Sequence, residues 1–303
     1  MYAVRFLLLA TLLFAAAFLA GCKSVAVPPG SYLMTGNIHQ RCLEILREGL
    51  HSDEYWPSVH AAESLIKAEY AFEATPVLQD RIRNERDKRR IAGYARALMP
   101  TNRNQAIVDL QDILLSDDIE ARILAAEAMF KTASVGDPAI LEQALDSLNN
   151  GRLRVFAAAA LTVTDRGDLR SIIREALQGD DPAARYIAAD VIPIVGNLDT
   201  DLPILADKKD LASSDFENLY FVRAMAIFGA ASALKEVASY LKHPDPTIRS
   251  RAAFAVAETW QIDETDRLIT LLDDPSLAVR VRAAQALLTL SNPTSPYRFL
   301  RLR

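Results

Sequence analysis

The chain has 303 residues, of which half are apolar and 11 are Gly, and a formal net charge of −5 at pH 7. That acidic balance argues against nucleic acid, which asks for a basic face. Strand-like alternation is scarce, and Ala-rich patterns of helical period dominate.

At the N-terminus, Arg5 precedes an apolar run from Phe6 to Ala20, which is short for a membrane span and reads as a secretory signal. The run ends in Leu19-Ala20-Gly21-Cys22. This stretch resembles the lipobox of bacterial lipoproteins; the plainer alternative is an ordinary signal peptide with a chance Cys. The resemblance implies cleavage after residue 21 and lipidation of Cys22, with palmitate among the acyl chains. Acyl chains bind a bilayer at about 0.8 kcal/mol per buried CH₂, so several hold a protein firmly. Lys23 stands where members kept at the inner membrane carry Asp. The resemblance therefore implies an exported protein on the periplasmic side of the outer membrane. Residues 22–37 read as lipidated Cys and tether. Cys42 then has no unlipidated partner for a disulfide, and its apolar helical setting suits a buried thiol.

An internal repeat organises residues 38–290. Its clearest copies are "EARILAAEAMFK", "RLRVFAAAALTV", "AARYIAADVIPI", "PTIRSRAAFAVAET" and "DDPSLAVRVRAAQALLTL". The anchors are Ser58, Ile91, Arg122, Arg154, Arg185, Asn218, Arg249 and Arg280, spaced 31 to 33 residues apart. Shorter helical patterns precede several of them, at 106–115, 139–148, 169–177 and 234–241, with cap signals such as Asp137-Pro138 and Gly167-Asp168. Each unit is thus a hairpin of helix A, a polar turn and helix B. Four residues after the anchor the residue is small, Ala in every unit but the sixth; seven after, it is apolar. Both columns share one face of helix B, which a single hairpin cannot bury but stacked neighbours can.

The Asp-Pro turn, the Arg and the Ala-rich second helix resemble the HEAT-like repeats related to those of phycobilin lyases, although units one, two and six depart at the Arg. The expected fold is all-α, a right-handed superhelical α-solenoid of about eight HEAT-like hairpins, with residues 291–303 as a C-terminal tail. Arg122, Arg154, Arg185, Arg249 and Arg280 form a regular ladder. It reads as structural, pairing with turn carboxylates such as Asp118, Asp181, Asp245 and Asp274, rather than as an anion-binding row.

Catalytic signals are sparse. The four His residues are dispersed, and His60 and Glu63 are not the adjacent pair used by helical-repeat metal hydroxylases. No phosphate loop or nucleophile elbow stands out. No metal, cofactor or catalytic residue is therefore assigned. Export also separates the chain from cytoplasmic pigment attachment. The stripe opposite the buried face lies two, five and nine residues after each anchor. It is polar in the end units and apolar in the middle ones. His60, Phe156, Ile187, Ile194, Tyr220, Arg223 and Ile227 on it are the expected partner-binding residues. Unit six, with Phe221-Val222 in place of the Ala pair, is expected to bend or interrupt the array. The function this implies is a non-catalytic, membrane-anchored scaffold that binds a protein through its repeats. The alternative is an enzyme or enzyme subunit acting on a cell-envelope substrate.

Overall fold

In all eight units the anchor falls on the fourth residue of a helix. The computed structural model describes residues 36–147 and 149–292. The signal segment, Cys22, most of the tether and nearly all of the tail lie outside the described residues. The units are α1 (Gly36–His51) with α2 (Tyr55–Lys67), α3 (Ala71–Asn84) with α4 (Lys88–Leu98), and α5 (Arg103–Leu114) with α6 (Ile119–Lys131). Then come α7 (Pro138–Leu145) with α8 (Gly151–Val163), α9 (Arg170–Gln178) with α10 (Pro182–Val195), and α11 (Leu198–Lys209) with α12 (Asp215–Ile227). The last are α13 (Ala231–Ser239) with α14 (Pro246–Glu258) and α15 (Thr265–Thr270) with α16 (Leu277–Ser291). The even-numbered helices are the B helices. No strand occurs among the described residues, and no helix there is long and apolar enough to cross a membrane.

Local chemistry sets the boundaries. Asp87, Asp118, Asp137, Asp181 and Asp245 each accept a hydrogen bond from a first-turn backbone N–H, and Pro follows three of them. At the other end, five B helices close with a residue of positive φ eleven positions after the anchor: Glu69, Ala133, Asp165, Gly229 and Trp260. The next N–H reaches back to the residue seven after the anchor, as in Tyr70 N–H to the Leu65 carbonyl at 2.8 Å. This is the Schellman closure, and four of the five place a side chain where Gly is the usual choice.

The stacking columns pack as their spacing predicts. The small column, from Ala62 to Ala284, has no accessible surface in any unit. The apolar column is buried throughout except for the half-buried Met225 of unit six. That unit is continuous with its neighbours, since α12 packs on both α10 and α14 and buries Phe221 and Val222. The stretch "GNLDTDLPILADKKDLASSD" contains α11, whose start Asn197 caps through its side chain.

Of the four turn carboxylates expected to pair with the arginine ladder, only Asp274 does so. Arg249 pairs with Asp274 of the next turn through two bonds of 2.9 and 3.0 Å, and also donates to the carbonyls of His243 and Pro244. Arg280 and Arg185 likewise donate to carbonyls of their own turns. Arg154 lies 3.8 Å from Glu175, and the Nε atoms of Arg122 and Arg154 have no partner among the described residues. Asp118, Asp181 and Asp245 are committed to capping instead, so a guanidinium finds its acceptors in the turn backbone and the neighbouring unit.

The array closes on itself. Helix α16 packs against both α1 and α2, and one apolar cluster joins Leu46, Leu50 and Leu65 of the first unit to Val281 and Leu287 of the last. A methyl built on Gly49 would lie 2.7 Å from Val281 Cγ2, so the missing side chain permits this contact. Arg280 donates to Glu48 at 2.5 Å, Arg41 pairs with Asp273, and Arg282 reaches His60. The expected all-α solenoid of about eight hairpins is present; its first and last units meet, so the hairpins form a ring with the B helices inside. Small side chains bring neighbouring B helices close while the A helices outside remain bulkier, and this wedge turns the array back to its start.

Candidate functional site

The interior of the ring is three layers of side chains, two, five and nine residues after each anchor. The middle layer carries alternating charge. Glu63 Oε1 accepts from Arg96 Nε at 2.7 Å, and Arg96 Nη1 lies 3.8 Å from Glu127, which Lys131 holds at 2.5 Å. On the far side, Arg223 forms a bidentate pair with Glu258 at 2.6 and 2.7 Å and donates to Asp190 at 3.1 Å. Arg96, Arg223, Glu258 and Asp190 are buried. Charges this far from water persist only when paired and hydrogen-bonded.

His60 links the two ends of the chain. Arg282 Nη2 lies 2.8 Å from His60 Nε2, and His60 Nδ1 lies 3.3 Å from Glu63 Oε2. Since guanidinium always donates, Nε2 accepts, and the Nδ1–H points to Glu63. Burial, reinforced by Arg282 and Arg96, lowers the His60 pKa to about 3. The imidazole is neutral, with the Trp56 indole stacked on it at 5.5 Å between centroids. Burial by itself would raise Glu127, but Lys131 and Arg96 outweigh it and hold the carboxyl at about 2. Glu63 is likewise held well below the usual carboxylate range: burial opposes this, and Arg96 overrides it.

Two interior cations stand apart. Arg282 donates to neutral acceptors, His60 and Gln285 Oε1 at 2.7 Å, and its guanidinium lies 4.5 Å over the Phe254 ring. Burial first, with Arg251 and Arg96 adding, lowers its pKa to about 10 despite Glu63 and Glu258. Arg251 lies 4.3 Å over Tyr220 and 5.4 Å over Phe216.

The expected apolar docking stripe is not an exposed surface. Phe156, Ile187, Tyr220 and Arg223 are buried, and His60 and Ile227 are half-buried; only Ile194, at 54 % exposure, is open among these seven. Ring closure is the reason: a stripe that would face a groove in an open array faces its opposite units here. Sequence reasoning left Arg96 without a role and did not pair Glu127, Asp190, Glu258 or Arg282. For Arg96, Glu127 and Asp190 the signal was present in the column five after the anchor, which reads Glu63, Arg96, Glu127 and then Asp190, Arg223; Glu258 and Arg282 lie nine and two after their anchors, in the other layers. Among the described residues no group of three His, Cys, Asp or Glu side chains is placed to hold a metal ion.

Fold and interior define an all-α ring of helical hairpins with a charged, self-paired centre. No protein-family model matches this chain, and no curated protein sequence matches it.

Proposed function

We propose that the protein is a lipoprotein scaffold, lipidated at Cys22, exported to the periplasmic face of the outer membrane, which binds a protein partner without catalysing a reaction. The reading rests on the lipobox-like Leu19-Ala20-Gly21-Cys22 and on where accessible apolar side chains lie. Gly49, Ala61 and Val281 meet at the rim of A-to-B turns, so α1 begins and α16 ends toward the opposite rim. A tether leaving Gly36 would place that second rim toward the membrane. The observation that carries the partner site is the pair Leu115 and Ile119, large exposed apolar residues flanking one A-to-B turn, with Trp56 and Leu211 exposed on the same rim in units one and six; this rim faces away from the membrane. The interior carboxylates and His60 are each bound to an arginine or lysine, which supports binding over acid–base chemistry at the centre.

Photo-crosslinking residues at Leu115 on the rim and at Val108 on the outer wall test this in membranes. A discrete protein adduct is expected at Leu115 and lost with Leu115→Asp/Ile119→Asp. Adducts at Val108 alone, or none at either position, would overturn the proposed rim site. Cys22→Ser should abolish palmitate incorporation and release the chain from the membrane fraction; retained labelling would refute the anchor.

A further inference from the structure

We propose that the mouth of the ring at the A-to-B rim is a binding site for an oxyanion, a carboxylate or a phosphate group held by Arg251, Arg282 and the Tyr220 hydroxyl. The inference is independent of the lipoprotein and scaffold reading. All three residues lie in the layer two after the anchor, on adjacent units six, seven and eight.

The balance of interior partners motivates it. The four interior carboxylates, Glu63, Glu127, Asp190 and Glu258, are already held by Arg96, Lys131 and Arg223. Among the described residues neither Arg251 nor Arg282 has a carboxylate within ion-pair distance, and Arg251 makes no hydrogen bond at all. Both side chains are only half-buried, so each remains reachable from the mouth of the ring, and an anion there would supply the counter-charge that the interior carboxylates give to other cations.

Geometry makes the pair a site. The guanidinium carbons lie 4.3 Å over Tyr220 and 4.5 Å over Phe254; Arg251 keeps its N–H groups for an acceptor, and Arg282 keeps those not used on His60 and Gln285. Tyr186, Phe216 and Tyr220 pack together, with centroids 5.0 to 5.9 Å apart, and form a rigid wall beneath Arg251. Burial keeps the Tyr220 phenol protonated, so it donates; its hydroxyl has no hydrogen-bond partner among the described residues. Phe254, which lies under Arg282, stands one helical turn from Arg251 on α14, so the two guanidiniums project side by side from neighbouring helices. Fork-shaped guanidinium groups suit both carboxylate and phosphate.

The test uses the full-length chain in detergent, titrated with phosphate and separately with acetate, against chloride at constant ionic strength. Calorimetry and the thermal midpoint are read. A saturable response to phosphate, to acetate or to both, absent with chloride, is expected, and the arm that responds identifies the class. R251Q and R282Q should each weaken binding about tenfold or more, the size of a lost charge-assisted contact. R251K, which keeps the charge but not the fork, should lie between; it decides the matter if a glutamine variant does not fold. No saturable response, an equal response to chloride, or unchanged binding in the variants would overturn the proposal.

Discussion

His60 shows how a residue changes meaning with its surroundings. On helical spacing it sits with Glu63 as a candidate for chemistry or for partner contact. In the ring it is a neutral acceptor for Arg282 and a donor toward Glu63. Its folded pKa of about 3 lies below the ordinary 6.5, so the unfolded chain takes up the proton first as pH falls. Stability is therefore complete above about pH 6.5 and declines as pH drops toward 3. The loss from Glu127, whose pKa falls from 4.5 to about 2, starts only below 4.5. His60→Gln, which keeps one acceptor and one donor, should flatten the thermal midpoint between pH 6.5 and 4.5 and leave the steeper acid limb. Midpoints measured across that range check it. Cys42 is simpler: burial raises its pKa to about 12, as its apolar setting in the sequence suggests.

At the scale of the helix, the repeat pattern made eight B helices legible because each anchor, Ala and apolar position recurs at a fixed offset. Two features were not legible. Helix α11 was hidden because Pro203 and several Asp residues read as a connection, yet Pro is tolerated within this helix and Asn197 caps its start. The closures at Glu69, Ala133, Asp165 and Trp260 lacked the expected Gly. Several interior pairs also emerge at this scale, since Glu63 with Arg96 and Arg223 with Glu258 and Asp190 join side chains on different helices. Arg223→Ala would leave Glu258 and Asp190 buried without their cation and should cost about 3–5 kcal/mol of stability, as breaking a buried pair does. Urea unfolding of the variant measures it. Arg47 with Glu73 joins successive A helices on the more exposed outer wall, where such pairs are worth about 0–1 kcal/mol.

For the whole molecule, closure is the decisive property. An open repeat array has two terminal units that each lack a neighbour, and it requires capping faces. Here the first and last units cap one another through Gly49 and Val281. Gly49→Cys/Val281→Cys should form a disulfide under oxidising conditions, because a Cβ at 49 falls 2.7 Å from Val281 Cγ2, a position the sulfur of the second thiol can take. A faster-migrating band on a non-reducing gel reports it; an open array would leave both thiols free to label. Closure also moves accessible apolar surface from an inner groove to the rims, at Trp56, Leu115, Ile119 and Leu211 on one and at Phe72 and Ile194 on the other.

The sequence by itself determined an all-α repeat, its period and the buried columns. Those follow from offsets along one helix and contact with the next unit, which a periodic pattern encodes. Only the tertiary structure decided that the array closes and that its inner stripe is buried. It also brought Arg282 to His60, 222 residues apart in the chain. The physical reason is cumulative: a small wedge between neighbouring hairpins is invisible in any one unit, yet summed over eight it determines which surfaces ever meet water.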